Sequence, residues 1–338
     1  MKHPFRIREI AAQAGLSEAT VDRALHGRGG VRESTVREVR QAIDDLDRQR
    51  SQVRLGARTF MIDVIVQAPP RFSGTVRAAL EAELPALRPA AVRCRFHLLD
   101  GPSAGDVVAV LDRVRRGRSH GVILKAPDVP EVVAAASRLD VPLVTLVTDL
   151  PGSPRVAYVG LDNVAAGTTA AYLVQQWLAD RAGDVLVVRG HGSFRGEDER
   201  ERGFRAEMRA RRLFEVVDAE DRPDAVRDGI RELLSVHSTV RAIYSLYAGA
   251  GGSDAVVAAF AAQGRTYDVF VAHDLDPSNT ALLRDRKLSA VLHHDLRTDM
   301  RRACHAIMQA QGALPGPIRT NPSAVQVITP HNAPPVVF

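Results

Sequence analysis

Cysteine is nearly absent. Cys94 and Cys304 stand far apart, with no metal-ligand spacing around either. That excludes a disulfide framework and a thiolate metal site, and both residues read as reduced core thiols. Aromatic residues are only 5% of the chain. Lysine is scarcer still: Lys2, Lys125 and Lys287 are the only three, so arginine carries almost all the positive charge. No apolar run is long enough to span a bilayer, and no apolar segment with a cleavage site opens the chain. Both absences predict a cytoplasmic protein without a membrane partner. His-Glu-x-x-His does not occur, which removes the zinc-protease helix. The chain reads as no enzyme, with no cofactor and no metal.

The charge that is present is unevenly placed. Residues 1–58 hold twelve Lys/Arg against eight Asp/Glu, leaving +4 of the chain's +5 at this end. Ile7, Ile10, Ala11 and Ala14 recur at helical spacing. Gly15 stops that helix by taking the left-handed conformation at no steric cost. Ser17 is suited to cap a second helix, in which Val21 and Leu25 face inward. Glu18, Ala19, Asp22 and Arg23 then point outward. A third helix is expected from an N-cap at Ser34, with Val36, Val39, Ile43 and Leu46 inside. This is a helix-turn-helix, a shape that lays its second helix in the major groove of DNA.

The string Ile10-Ala-Ala-Gln-Ala-Gly15-Leu-Ser17, followed by Ala19-Thr20-Val21, Arg23 and Leu25, resembles the head of the lactose/galactose repressor (LacI/GalR) family. Leu16 takes the family's valine place, Asp22 its serine place and His26 its asparagine place. The resemblance implies operator DNA as partner, contacted by Ser17, Glu18, Ala19, Thr20, Asp22, Arg23 and Arg28. Asp22 is the departure. A carboxylate near phosphates either accepts from a cytosine amino group or pairs with Arg23 or Arg28. Residues 1–46 are the expected head and 47–59 a basic connector. In the family that connector is a hinge whose leucine wedges into the minor groove. Leu55 is the candidate wedge, with Arg54 and Arg58 on phosphates or the groove floor.

From residue 60 the chain alternates β-branched runs with alanine-rich helical stretches. Strand candidates include Phe60–Gln67, Gly121–Leu124, Leu143–Val147, Asp184–Val188, Ala242–Ser245, Val269–Ala272 and Ala290–His293. Such alternation means parallel sheets covered on both faces. The strands outnumber one sheet, so two doubly wound lobes with a cleft at their carboxyl ends are expected behind the all-α head. Tyr158-Val-Gly-Leu-Asp162-Asn163 with Ala166-Gly167, then Arg200-Glu-Arg-Gly203-Phe204, then Ala272-His273-Asp274 resemble the periplasmic-binding-protein-like effector domain of the same family. The expected domain is 60–338. Lobe one takes about 60–160 and 290–320, and lobe two about 162–288 and 321–338.

The resemblance implies that Arg200 and Asp274 bind ligand hydroxyls. The residues themselves add Asp149 after a strand, Phe72 and Ser73 in the first strand-to-helix loop, Lys125 closing an apolar strand, and His294 at the start of the returning segment. Arg200 could instead pair with Glu197 or Glu201, and Asp149 could merely cap a loop. Tyr247-Ala-Gly249-Ala-Gly251-Gly252-Ser253 imitates a dinucleotide loop but has Asp254 where the third glycine belongs, and an acid there repels pyrophosphate. His293 and His294 are adjacent on a strand and point opposite ways, which argues against a shared metal. The expected function is a homodimeric, ligand-responsive repressor on a pseudo-palindromic operator, with a monosaccharide or polyol as effector. The competing reading is a sugar-binding sensor or transport component whose head docks a protein.

Overall fold

The computed structural model describes residues 4–56, 58–101, 103–190, 194–208, 211–218, 222–246 and 251–334, the side chains of 51–55 and 218 excepted. The head is α1 (Ile7–Ala14), α2 (Glu18–Leu25) and α3 (Glu33–Gly56). Ile10, Ala11, Val21, Ala24, Leu25, Val39 and Ala42 form its small core. Helix α3 starts at Glu33, so Ser34 lies inside its first turn and does not cap it. The helix also runs without a break through residues 47–56 of the expected connector. Residues 47–54 lack glycine and proline, and nothing in them stops a helix once it has begun.

Lobe one follows as β1 (Thr59–Gln67), α4 (Pro70–Glu83), β2 (Ala91–Leu99), α5 (Ala104–Arg116), β3 (Gly121–Lys125), α6 (Pro130–Ala136), β4 (Leu143–Leu146) and β5 (Ala157–Val159). Its sheet has the order β2-β1-β3-β4-β5, every pair parallel. Lobe two contains α7 (Asn163–Leu178), β6 (Asp184–Gly190), α8 (Arg195–Glu207), β7 (Leu213–Asp218), α9 (Pro223–Val236), β8 (Val240–Ser245), α10 (Gly252–Ala262), β9 (Val269–His273), α11 (Pro277–Arg284) and β10 (Ala290–His293). Helix α12 (Leu296–Ala310) then crosses back to lobe one, and β11 (Gln326–Ile328) ends in lobe two. The second sheet is β11-β10-β9-β8-β6-β7, parallel except where β11 meets β10.

Both sheets are apolar on two faces, as parallel sheets require. In lobe two Val291 enters the core under α9 and α10, while its neighbour Leu292 enters the core under α7 and α8. This strand corrects the expected return at residue 290. Strand β10 pairs with β9, and only α12 leaves, setting Met300, Ala303, Cys304 and Ile307 against the lobe-one core. Between the lobes, Leu161 bridges Ser323, and Ser323 N donates to the Gly160 carbonyl at 2.8 Å. Among the described residues no helix is long and apolar enough to cross a membrane.

Candidate functional site

The outward side of α2 is built by its cap and its core. Gly15 sits at φ +66°, and its amide reaches back to Ala11. Ser17 caps α2 by accepting from Thr20 N at 3.2 Å. With Val21 and Leu25 buried, Ser17, Glu18, Ala19, Arg23 and Arg28 are exposed, and Thr20 and Asp22 are half-buried. Asp22 accepts from Arg28 Nη1 at 2.8 Å, so the alternative that holds in the free protein is the Arg28 pair. Arg23 instead donates through Nε to the Ala19 carbonyl at 3.2 Å. Arg54 and Leu55 occupy the last turn of α3, and their side chains lie outside the described residues. Arg58 is exposed just beyond.

The second candidate is a cleft of about 690 Å³, open to solvent, between α4 of lobe one and the carboxyl ends of β8, β9 and β10. Asp274 follows β9 with φ +63°, a left-handed conformation unusual for a side-chain-bearing residue. Asn279 Nδ2 pins it by donating to the His273 and Asp274 carbonyls at 3.0 and 2.8 Å. Burial alone would raise the Asp274 carboxyl. The Arg200 charge outweighs that and holds it below the ordinary value, ionised.

Arg200 is 4% exposed and sits behind this wall. Its Nε donates to Asn163 Oδ1 at 2.9 Å, and its Nη1 to the Leu246 carbonyl at 3.2 Å. Two glycines place it. A Cβ on Gly167 would lie 1.9 Å from the Arg200 carbonyl oxygen, and one on Gly203 would lie 2.2 Å from that of Val164. Helices α7 and α8 therefore touch backbone to backbone. Glu201, the other suspected partner of Arg200, instead accepts from Arg205 at 2.5 Å.

Lys125 closes β3 and donates to the Gln67 carbonyl at 3.0 Å. Its ammonium lies 3.6 Å from the Phe194 ring centroid and 5.5 Å from that of Phe72. Burial pulls its pKa down to about 8; Arg200 adds to this, and Glu197 and Asp274 resist it. Burial likewise pushes the Glu197 carboxyl up, against the pull of Lys125 and Arg200. Among the described residues Glu197 Oε2 is buried without a hydrogen-bond partner. His273 Nε2 meets the Tyr244 hydroxyl at 2.8 Å, and its Nδ1 is buried with no partner among the described residues. Burial, reinforced by Arg200, holds His273 well below 6.5, hence neutral.

Of the ligand candidates, Phe72, Asp274 and His294 line the cleft, while Lys125 and Arg200 lie behind it. His294 is tied through Nδ1 to Asp299 at 2.5 Å. Two candidates fall elsewhere. Asp149 is chelated by Arg155 through two contacts, one of them 2.6 Å, and accepts from Thr145 Oγ1 at 2.7 Å and Leu150 N at 2.9 Å. Its oxygens are filled by its own loop. Ser73 is buried and donates to the Ala68 carbonyl at 3.1 Å. Both Phe72 and Ser73 sit in the first turn of α4, because Pro70 starts that helix earlier than a loop reading allows. Sequence reasoning assigned no site role to Arg71, Asn163, Phe194, Glu197 or Asp276. Glu197 alone left a signal, being three residues before Arg200 and so on the same helix face.

The lobes also touch directly. Arg71 on α4 forms an ion pair with Asp276 before α11. Arg195 on α8 lies 3.5 Å from Asp128 in lobe one. Gly196 N donates to Thr148 Oγ1 at 3.0 Å. Among the described residues no group of three His, Cys, Asp or Glu could hold a metal ion.

Residues 6–50 match the family of bacterial regulatory proteins of lacI type, and residues 97–313 match the periplasmic binding protein domain. No curated protein sequence matches significantly. Solved structures do. A glucose-galactose binding protein from Geobacillus stearothermophilus superposes with TM-score 0.71 at 18% identity, over 82% of this chain and 99% of that one. A solute binding protein of an ABC transporter from Burkholderia graminis C4D1M, in complex with D-arabinose, gives 0.71 at 19%, over 82% and 97%. A chain from Bacteroides fragilis assigned as a LacI transcriptional regulator gives 0.69 at 16%, over 81% and 98%. At these identities the likeness is one of fold.

Proposed function

This chain belongs to the lacI family of bacterial regulatory proteins and carries a periplasmic binding protein domain behind its DNA-binding head, and on that premise we propose that it is a cytoplasmic, dimeric repressor released from its operator by an uncharged sugar or polyol. Two heads read one half-site each in successive major grooves. Leu55 and its partner copy enter the minor groove between them. An effector that binds one lobe arrangement more tightly shifts the hinge, and about 1–3 kcal/mol of such coupling changes DNA affinity roughly 5–150-fold.

One observation carries the effector class: the charges around the cleft are matched. Arg71 faces Asp276, Arg200 acts on Asp274, and Lys125 acts on Glu197. Residues 191–193 and 247–250 add no Asp, Glu, Lys or Arg. A phosphate or carboxylate entering here would unbalance the site, while hydroxyl groups find carboxylate acceptors, a guanidinium and the Phe72 ring. Named sugars in the similar structures agree with that chemistry.

The test is a thermal-shift series on the full chain with D-arabinose, D-galactose and an alditol, against a uronate and a sugar phosphate. A neutral compound should raise the melting temperature, since ligand bound only to the folded state stabilises it. Arg200→Ala and Asp274→Ala should abolish that rise while leaving DNA binding. A response confined to the charged compounds defeats the effector assignment.

A further inference from the structure

We propose that the end of lobe one nearest the head is a second DNA-contacting surface, on which Arg88, Arg116 and Arg118 grip phosphates beside the operator. The proposal rests on the head reading above and extends it to the body.

The topology brings these residues together. Strand β1 begins only three residues after α3 ends at Gly56. All its sheet partners run parallel to it, so every lobe-one strand starts at this same end. The connections leading into β1, β2, β3 and β4 hold Arg58, Arg88, Arg118 and Arg138 against a single acid, Asp140. Arg115 and Arg116 stand in the last turn of α5, which returns here. Arg58, Arg88, Arg115, Arg116 and Arg118 are all exposed. Among the described residues none of them is in an ion pair closer than 4.0 Å; the nearby Asp112 is taken by Arg138 at 2.9 Å.

The ordinary explanation for basic residues here is the helix dipole. Helices α4, α5 and α6 bring carboxyl ends to this face, and each favours a cation. Arg113, Arg115 and Arg116 already serve α5. Arg88 and Arg118 lie outside the α-helices, so the excess is unexplained by that need. Without them, three helix ends would present partial negative charge to DNA.

The face is also held in place, and close. Arg95 Nη2 donates to the Arg118 carbonyl at 3.2 Å, and His120 N to the Met61 carbonyl at 2.8 Å, which fixes the loop carrying Arg118. An added Cβ on Gly56 would lie 3.6 Å from Pro89 Cβ, so the end of α3 touches the residue next to Arg88. Leu55 precedes Gly56 by one residue, about 1.5 Å along a helix axis. If Leu55 reaches the minor groove, Arg88 is beside the backbone that borders it.

The experiment compares the full chain with an R88Q/R116Q/R118Q variant on a long mixed-sequence duplex across a salt series. Each phosphate contact contributes about 0.9 to the slope of log affinity against log salt. The slope should fall by about 2 to 3 per protomer in the variant, with the melting temperature kept. Lysine at the three positions should restore it. An unchanged slope beside clear wild-type binding overturns this proposal alone. Failure of the wild type to bind any DNA overturns the head reading and this proposal together.

Discussion

Replacing Gly167 by alanine puts one methyl group where the backbone of α8 already lies. The Cβ would sit 1.9 Å from the Arg200 carbonyl oxygen and 2.8 Å from its carbon. An ordinary carbon–oxygen contact is about 3.3 Å or more. Helix α8 must therefore withdraw by more than an ångström, because the obstacle is backbone and cannot rotate away. Overpacking of this kind costs about 1–3 kcal/mol. The withdrawal also stretches the Arg200 bonds to Asn163 Oδ1 and Leu246 O, now 2.9 and 3.2 Å, beyond useful hydrogen-bond range. The expected loss is about 3 kcal/mol, which at about 2–4 °C per kcal/mol lowers the melting temperature by roughly 6–12 °C. Gly74 on α4 is the control. Nothing lies within 4 Å of its would-be Cβ. Alanine there should stabilise by about 0.5–1 kcal/mol, the ordinary helix preference. Thermal denaturation by circular dichroism reads both variants. If the two melt alike, close α7–α8 contact does not set the position of Arg200, and the site's geometric argument fails.

Lys125→Met should change how stability depends on alkaline pH. The buried amine has its pKa lowered from 10.5 to about 8, so between those values the unfolded chain binds more protons than the folded one. Stability of the wild type should therefore gain, relative to the methionine variant, as pH rises from 8 to 10.5; urea melts that keep a constant difference would contradict the buried position. Asp22→Asn should release Arg28 for phosphate and steepen the salt dependence of DNA binding by about 0.9 per head; a gel-shift salt series showing no change would mean that Arg28 gains no phosphate when the Asp22 pair is removed. Leu55→Ala should weaken operator binding more than binding to mixed-sequence DNA. Equal loss on both would remove the wedge.

What could be read ahead of the coordinates was whatever depends on near neighbours. The turn at Gly15, the cap at Ser17 and the inward Val21 and Leu25 are decided within one or two helical turns, and they stand where the spacing put them. The strands of the described residues are legible because β-branched runs on a two-sided sheet need no distant partner to announce them. Helix α4 was misjudged for a local reason too: Pro70 fits the first helical position and moves the start ahead of Phe72.

The failures are of another kind. Asp149 reads as a free carboxylate at a strand end, yet Arg155 folds back from beyond a turn to fill it. Strand β10 carries no mark of the sheet it joins, because Val291 and Leu292 would suit either lobe. Across the cleft Arg71 pairs with Asp276 and Lys125 acts on Glu197 at longer range, residues far apart in the chain and on different lobes. That last case bears on function most. A pattern of single residues names the acceptors and donors of a site, but its net charge is a sum over both walls, and only closure of the two lobes brings the terms of that sum together. A sequence can therefore declare that a ligand is bound well before it declares whether the ligand is charged.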